Sequence, residues 1–435
     1  MAGTYAPGMT DSPRFTTLQH WLDWQERLHP SRIDLGLDRV SRVADCLQCR
    51  RPAPLVISVA GTNGKGSSVA MLEAILSRAG YRVGCYTSPH LLRYNERLRL
   101  CGEEVSDQAL CEAFARIDQA RGEGSLTYFE FGTLAALDIM SREVLDVALL
   151  EVGLGGRLDA VNIVDADAAM ITSIGIDHTE WLGADRESIA REKAGIMRAA
   201  CPVVCGDTDP PHSLRAEADR VGAGLQVLGQ DFSIRETARG WHWQGGHSHY
   251  RDLPRPALSG AHQLANAAAV LMLLEKLEAR LPVTEESVRA GLKWVKLAGR
   301  VQRLTGRVEQ VLDVSHNAQA ALALADALRN MPLAGGTHAV FGMMRDKDAE
   351  SFARALDPQV SCWYPAGLAV ERASSAEQLR ARIEPVVGGA RINTCQSVAD
   401  AMELLKHKAE SGDRVLVCGS FYTVAEWTAL RPGFG

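Results

Sequence analysis

Short apolar segments alternate with helical patterns from Leu55 to Asp177. Four of these segments have the length and near-continuous apolar character of buried strands. They are PLVISVAG, YRVGCYTS, LDVALLEVG and DAAMITSIGID. Between the first two, GSSVAMLEAILSRAG is predicted to form a helix that ends at Gly80. Apolar strands separated by helices are typical of a parallel sheet that is covered on both faces.

The pattern changes twice in the rest of the chain. Residues 201–258 are richer in strand patterns, and the segment WHWQGGHSHY predicts a hairpin with Gln-Gly-Gly in its turn. Two helical segments follow, at 261–281 and 284–296, before a second strand–helix series that contains VEQVLDVS, THAVFGMM, VSCWYPA and DRVLVCGS. We therefore predict two α/β domains with mostly parallel sheets, over residues 1–296 and 297–435, with a ligand cleft between them.

Length and charge narrow the classes of function. A chain of 435 residues is long enough for two or three domains. Its formal net charge of -6 gives no general attraction to nucleic acid or to an anionic membrane, so small-molecule partners are expected. The N-terminus has no secretory pattern and no apolar run approaches the length that spans a bilayer, so we expect a soluble protein that is not exported.

The ten cysteines are scattered, which favours a reducing compartment, and we expect the cytoplasm. Two close pairs, Cys46 with Cys49 and Cys201 with Cys205, raise the question of zinc binding or redox chemistry. Neither pair has a matching second pair nearby, so we expect ordinary buried thiols. The three close histidines of the hairpin segment (His242, His247 and His249) raise the same question, and the hairpin is the better explanation of their spacing.

Polar residues follow the predicted strands, which is where ligands of open α/β sheets gather. In GTNGKGS, after the first strand, Gly61 and Gly64 enclose only two residues and Gly66 separates Lys65 from Ser67, unlike the usual phosphate-binding loop. Glycines nevertheless let backbone N–H groups approach an anion, the next helix adds its positive end, and Lys65 adds a cation. Taken alone, the loop is as compatible with a plain strand–helix turn.

Three other strand ends favour the nucleotide interpretation. Ser88 follows the second strand, Glu151 ends the third and His178 follows the fourth. A carboxylate at the end of an apolar run is costly, so Glu151 needs a salt bridge, hydrogen-bond donors or a cation. Hydroxyl, carboxylate and imidazole together suit a divalent ion beside ATP phosphates. The GLGG segment at 153–156 lacks the final glycine of a dinucleotide fingerprint, which argues against a nicotinamide site.

With these residues assembled, the sequence closely resembles the bacterial bifunctional dihydrofolate synthase/folylpolyglutamate synthase family, which is related to the Mur ligases. The match covers nearly the whole chain and runs through IDLGLDRV, VAGTNGKGSS, YTSPHLLRYNERLRL, LTYFEFGTLAAL, LLEVGLGGRLDAVNIVDAD, TSIGIDHTEWLG, REKAGIMR, LDVSHNAQAA and VLVCGSFYTVAEW. The resemblance implies a Mur-ligase-like P-loop domain followed by a smaller Rossmann-like α/β domain. One departure is Ala318, where the family often has proline, and it affects the rigidity of the helix start more than the chemistry.

The resemblance also assigns residues to a nucleotide site. The ATP contacts it implies are Thr62, Asn63, Gly64, Lys65, Gly66, Ser67, Asn266, Arg300 and Asp313. The magnesium positions it implies are Ser88, Glu151, His178 and Lys193, the last as a carbamylated lysine. The catalytic residues it implies are Lys65, Lys193 and His316. From its helical pattern alone, Lys193 is equally an exposed residue paired with Glu187 or Glu192.

The same resemblance implies which residues bind the pteroate substrate and which reaction takes place. The pteroate-binding residues it implies are Ile33, Asp34, Leu35, Thr127, Phe129, Leu158, Asp159 and Ala160. Phe129 would offer an aromatic face to the pterin ring, unless it simply packs in the core. The implied reaction joins L-glutamate to dihydropteroate, and further glutamates to folates, with ATP and an acyl-phosphate intermediate. We expect a monomer, because an interdomain site needs no partner subunit. The alternatives are a related ligase for another acid, a P-loop ATPase and a nicotinamide oxidoreductase.

Overall fold

The computed structural model describes residues 13–31 and 33–431. Its N-terminal part is built on an eight-stranded sheet of order β4-β3-β2-β5-β1-β6-β7-β8. The strands are β1 Leu55–Ala60, β2 Val83–Tyr86, β3 Leu98–Leu100, β4 Glu103–Glu104, β5 Val147–Glu151, β6 Ala168–Ile171, β7 Pro202–Cys205 and β8 Gly224–Val227. Six neighbouring strands of the sheet are parallel to one another: β2, β5, β1, β6, β7 and β8. The strand β3 pairs antiparallel with β2, and β4 pairs antiparallel with β3. The predicted, mostly parallel sheet is confirmed.

Helices cover both faces of this sheet. They are α1 Leu18–Leu28, α2 Asp38–Leu47, α3 Lys65–Arg78, α4 Asp107–Arg121, α5 Tyr128–Arg142, α6 Thr179–Leu182, α7 Arg186–Lys193, α8 His212–Val221, α9 His262–Lys276 and α10 Glu285–Trp294. Within β1, Val56 and Ala60 belong to a buried cluster with α2, α4 and α5, whereas Ile57 and Val59 belong to a cluster with α3, α9 and α10. Because both faces are buried, the central strands β1, β2, β5 and β6 are mostly apolar.

Residues 201–258 contain more helix than the sequence pattern indicates. The helix α8 connects β7 to β8, and a crossover of this kind is needed because the two strands are parallel. The predicted hairpin is confirmed: β10 Gly240–Gln244 pairs antiparallel with β11 His249–Leu253, and β9 Ser233–Thr237 lies on the other side of β10. In the turn, His247 Nε2 lies 3.0 Å from Glu278 Oε2, so this histidine pairs with a carboxylate.

The ten cysteines are all free. Cys49 and Cys205 are buried and Cys201 is half-buried, in reasonable agreement with the prediction of buried thiols. For Cys46 the prediction is wrong, because this thiol lies on the exposed side of α2.

The C-terminal part is a smaller α/β unit with a five-stranded sheet of order β12-β13-β16-β14-β15. Its strands are β12 Gln302–Leu304, β13 Glu309–Leu312, β14 Thr337–Phe341, β15 Cys362–Pro365 and β16 Arg414–Cys418, and all except β12 run parallel. Its helices are α11 Ala318–Arg329, α12 Ala349–Leu356, α13 Ala376–Val387, α14 Val398–Lys408 and α15 Phe421–Leu430. Residues 295–301 contain neither helix nor strand, and we propose that the domain boundary lies at Lys296 within them.

Across the described ranges 13–31 and 33–431, no helix combines the length and the apolar character that crossing a bilayer requires.

Candidate functional site

The glycine-rich loop after β1 is fixed in shape by its neighbours. Gly61 and Gly64 have φ angles of +149° and +90°, which residues with side chains rarely adopt. A Cβ atom at Gly61 would lie 1.8 Å from Thr172 Oγ1, and one at Gly64 would lie 2.7 Å from Asn266 Oδ1. The loop therefore requires glycine at both positions. It leads directly into α3 at Lys65, and the start of a helix presents unpaired backbone N–H groups.

The side chain of Lys65 folds back over this loop. Its Nζ donates hydrogen bonds to the carbonyl oxygens of Gly61 at 2.9 Å and Thr62 at 3.3 Å. Burial lowers the pKa of Lys65, and the negative charges of Glu151 and Asp177 oppose that shift. A phosphate bound at this helix end would meet both the N–H groups and a nearby ammonium. The loop is thus suited to an anion in spite of its unusual spacing.

A cavity of about 280 Å³ opens beside the loop, a volume near the lower limit for small-molecule sites. Every residue predicted to contact ATP, to bind metal or to act in catalysis lines this cavity. They are Thr62, Asn63, Gly64, Lys65, Gly66, Ser67, Ser88, Glu151, His178, Lys193, Asn266, Arg300, Asp313 and His316. The first eleven come from the N-terminal part and the last three from beyond Lys296. The cavity is therefore lined by residues of both α/β units.

The sheet order explains why the N-terminal residues meet. The strands β2, β5, β1 and β6 are consecutive neighbours and all run parallel. Their carboxyl ends therefore lie along one edge of the sheet, which is where such folds bind ligands. Ser88 follows β2, Glu151 ends β5, the glycine-rich loop follows β1 and His178 follows β6.

Glu151 and His178 have electrostatic surroundings that suit a cation. Burial raises the pKa of the Glu151 carboxyl, while Lys65 and the backbone N–H of Ser88, 3.2 Å away, favour its charged form. Burial lowers the pKa of His178 to about 4, so its imidazole is neutral at neutral pH. A neutral imidazole can donate a nitrogen lone pair to a metal.

Within the described residues, no group of three or more His, Cys, Asp or Glu side chains is arranged to hold a metal ion. Glu151, His178 and the Ser88 hydroxyl therefore offer an incomplete protein shell. Such a shell fits Mg²⁺, which keeps several waters and is bound by few protein groups together with substrate phosphates.

Lys193 is the last residue of α7, and its side chain is buried against the cavity. The alternative of an exposed lysine paired with Glu187 or Glu192 is wrong. The Glu187 carboxylate accepts hydrogen bonds from the backbone of His212 and Ser213. Lys193 Nζ has no hydrogen bond or ion pair with any other residue in the described part of the chain. Burial, reinforced by the charge of Lys65, lowers the pKa of Lys193 to about 7.

The C-terminal unit contributes Arg300 and Asp313 next to each other. The two carboxylate oxygens of Asp313 accept hydrogen bonds from the backbone N–H groups of Val301 at 2.8 Å and Ser315 at 2.9 Å. Asp313 thereby fixes the turn that carries Arg300, whose guanidinium lies 5.1 Å from the centre of the Phe421 ring. Burial lowers the pKa of Arg300, and the negative charges of Asp313 and Glu151 oppose that shift.

Four further polar residues at the site were not predicted as functional. They are Asp177, Asn317, Gln319 and Lys347. Lys347 Nζ lies 2.5 Å from Asp177 Oδ1, and His316 Nε2 lies 3.6 Å from Asp177 Oδ2. Although burial alone would raise the pKa of Asp177, the His316, His178 and Lys347 side chains hold it well below its usual range. The position of Asp177 beside His178 at a strand end was a usable signal, whereas nothing in the local sequence pointed to Lys347.

None of the predicted pteroate residues belongs to the lining of the cavity. Thr127 caps α5 together with Glu130, whose carboxylate is held by Arg39. Arg39 also pairs with Asp34, so the loop that contains Ile33 and Leu35 is tied to the start of α5. The Phe129 ring fills the space beside Gly153, where a Cβ atom would approach it to 2.5 Å.

Asp159 links this neighbouring region to the cavity. Its carboxylate accepts hydrogen bonds from the backbone N–H groups of Leu154 at 2.8 Å and Val161 at 3.0 Å, and burial raises its pKa to about 6. Leu154 lines the cavity, whereas Leu158 is exposed and Ala160 is buried. The GLGG loop therefore connects two predicted pteroate residues, Phe129 and Asp159, to the cavity, and a short 3₁₀ turn follows it.

Comparison with known proteins agrees with this arrangement. Residues 59–274 match the Mur ligase middle domain, and residues 299–421 match the Mur ligase, glutamate ligase domain. The chain is 45% identical over 408 residues to the dihydrofolate synthase/folylpolyglutamate synthase of Escherichia coli strain K12, with 94% of each chain covered. This chain belongs to the dihydrofolate synthase/folylpolyglutamate synthase family.

Two solved structures of the family are close in three dimensions. Escherichia coli FolC in complex with DHPP and ADP has 43% identity and a TM-score of 0.92, and the match covers 98% of this chain and 99% of that one. A family structure with Mn, AMPPNP and L-glutamate bound has 45% identity and a TM-score of 0.88, with 96% and 98% covered. Those relatives bind a nucleotide, and one also binds a divalent metal and glutamate.

Proposed function

We propose that this protein is an ATP-dependent ligase that joins L-glutamate to dihydropteroate and adds further glutamates to folates. The observation that carries the proposal is the cavity between the two units, in which the phosphate loop, Glu151 and Arg300 meet. Membership in the family and the ligands of its solved members support the same activity.

The chemistry explains why ATP is needed. A carboxylate does not condense with an amine in water, because its oxygen is a poor leaving group. One carboxylate oxygen of the pteroate attacks the γ-phosphorus of ATP, the bond to the β-phosphate oxygen breaks, and ADP leaves. The neutral amine of glutamate then attacks the carbonyl carbon of the acyl phosphate, and its nitrogen loses a proton to solvent. The bond from this carbon to the phosphate oxygen breaks, and the released phosphate carries one oxygen of the original acid.

The chain mainly positions the reactants and neutralises charge. Lys65 and the N-terminal end of α3 hold the phosphates from the N-terminal unit, and Arg300 approaches from the other unit. Ser88, Glu151 and His178 would hold Mg²⁺, which supplies positive charge to the phosphate oxygens when it is bound. Bringing these groups together in a buried site strengthens each electrostatic contact.

Lys193 has a specific place in this proposal. Its side chain is buried, has no hydrogen bond or ion pair with the residues that the structure describes, and lines the same cavity as Glu151 and His178. We propose that its neutral amine adds carbon dioxide and releases one N–H proton to water, which gives a carbamate anion with two oxygen acceptors. Such a group would orient a divalent ion or its waters beside Glu151.

We further propose that the protein acts as a monomer in the cytoplasm. The proposal of a monomer rests on the cavity being lined by residues of both α/β units of the same chain. The ten unpaired cysteines suit a reducing compartment.

The acyl phosphate is tested by isotope transfer. With oxygen-18 in the carboxylate of the pteroate, we expect the label in the inorganic phosphate released during turnover, detected by mass spectrometry. As a control, labelled water with an unlabelled acid should leave the phosphate unlabelled. Productive amide formation without transfer of the label would exclude this order of steps.

A further inference from the structure

The two α/β units meet at one carboxylate. Asp177 follows β6 in the N-terminal unit, and three side chains of the C-terminal unit surround it. Lys347 Nζ lies 2.5 Å from Oδ1, while Asn317 Nδ2 donates to Oδ2 at 3.1 Å and His316 Nε2 lies 3.6 Å from Oδ2. The side chains of Asp177 and Lys347 are 9% and 11% exposed, so the pair is shielded from water.

We propose that Asp177 and Lys347 form an interdomain clasp that positions His178 for its place in the site. Breaking a shielded ion pair by removing one partner leaves the other charge uncompensated, so each residue depends on the other. Lys347 belongs to the loop between β14 and α12, and its approach to Asp177 therefore requires the two units to be in contact. Asp177 is a positioning residue, because it acts through its neighbour.

The backbone shows how the clasp reaches His178. The same Oδ1 atom that meets Lys347 also accepts a hydrogen bond from the backbone N–H of His178 at 2.8 Å. His178 adopts a left-handed conformation with a φ angle of +51°, which is uncommon for a residue with a side chain. The Asp177 carboxylate thus stabilises an unfavourable backbone conformation that sets the direction of the imidazole.

A second contact ties the same C-terminal segment to the phosphate loop. Asn63 Nδ2 donates to Gln319 Oε1 at 2.9 Å and to Asn317 Oδ1 at 3.2 Å. Asn317 in turn donates to both Asn63 Oδ1 and Asp177 Oδ2. The start of α11 therefore contacts the phosphate loop and the Asp177 carboxylate together. Contact between the units and the geometry of the nucleotide site are coupled through this segment.

A double-mutant cycle tests the clasp. Asp177→Asn keeps the shape of the side chain, Lys347→Met keeps its length, and both remove charge. Lys406→Met is the matched control, because Lys406 pairs with Glu403 on the exposed surface of the same unit. We expect each single variant to lower kcat/KM for ATP between about tenfold and a hundredfold. The double variant should lose no more of its kcat/KM than either single variant, because both substitutions break the same contact. The control variant should match wild type.

Hydrogen exchange of the substrate-free protein gives a second readout that does not depend on the proposed function. We expect faster exchange over residues 173–183 in both single variants, together with unchanged exchange in the buried strand β1. If Lys347 instead contacts the substrate L-glutamate directly, Lys347→Met will raise the KM for L-glutamate without changing the KM for ATP, and Asp177→Asn will leave the KM for L-glutamate unchanged. That result would overturn the clasp. The clasp would also be overturned if the activity losses of the two single variants added in the double variant while hydrogen exchange over residues 173–183 stayed unchanged. An inactive wild type with the predicted exchange changes would contradict the proposed function and leave the clasp supported.

Discussion

Replacing Lys65 by alanine is expected to lower kcat for ligation about a thousandfold, or about 4 kcal/mol in the transition state. The ammonium is a mobile charge beside the phosphate site, and a group that stabilises developing charge in a buried site has effects of this size. The fold should persist, because Gly61 and Gly64 set the loop by their φ angles and their contacts with Thr172 and Asn266. Among the residues that the structure describes, Lys65 Nζ donates hydrogen bonds only to carbonyl oxygens of the same loop.

The measurement is single-turnover and steady-state ligation at saturating ATP, together with thermal unfolding. Lys293→Ala, which removes an exposed lysine from the last turn of α10, should behave like wild type in both assays. Near-normal turnover of Lys65→Ala at saturating ATP would remove this residue from phosphoryl transfer.

Replacing Lys193 by alanine is expected to lower kcat between about tenfold and a hundredfold, with a much smaller change in dihydropteroate binding. The carbamate would orient the metal rather than touch the pteroate, so its loss should weaken metal dependence first. Lys276→Ala is a matched control, since Lys276 also ends a helix but is exposed to solvent.

Carbon-13 bicarbonate allows the modification to be observed directly. We expect a carbamate resonance in wild type that is missing in Lys193→Ala, and a higher magnesium concentration for half-maximal activity in the variant. An unlabelled lysine in wild type, together with normal activity of the variant, would rule out the carbamate.

The fold was largely predictable because its strands are buried on both faces. The strands β1, β5 and β16 are mostly apolar and buried, and mostly apolar strands that alternate with helices are typical of a parallel sheet with both faces covered. The strands β3 and β4 were not predicted, because they are three and two residues long and contain Arg99, Glu103 and Glu104. The helix α8 was also missed, since only the parallel pairing of β7 and β8 requires a crossover there.

The site was predictable where it depends on strand ends. Ser88, Glu151 and His178 follow neighbouring parallel strands, so their meeting follows from the sheet order. The burial of Lys193 could not be predicted, because a helix rich in charged residues gives no sign of which side chain is buried. The contact between Asp177 and Lys347 spans 170 positions and depends on how the two units pack, which no local pattern records.

The most direct test of ligation measures ADP release and the amide product in the same reaction. ATP, dihydropteroate and L-glutamate are each omitted in turn, and the products are identified by mass spectrometry. We expect sustained ADP release only when all three are present, with one product that is heavier than dihydropteroate by a single glutamate residue. Sustained ADP release without L-glutamate, with no amide product in the complete mixture, would show that the protein is an ATPase and not a ligase.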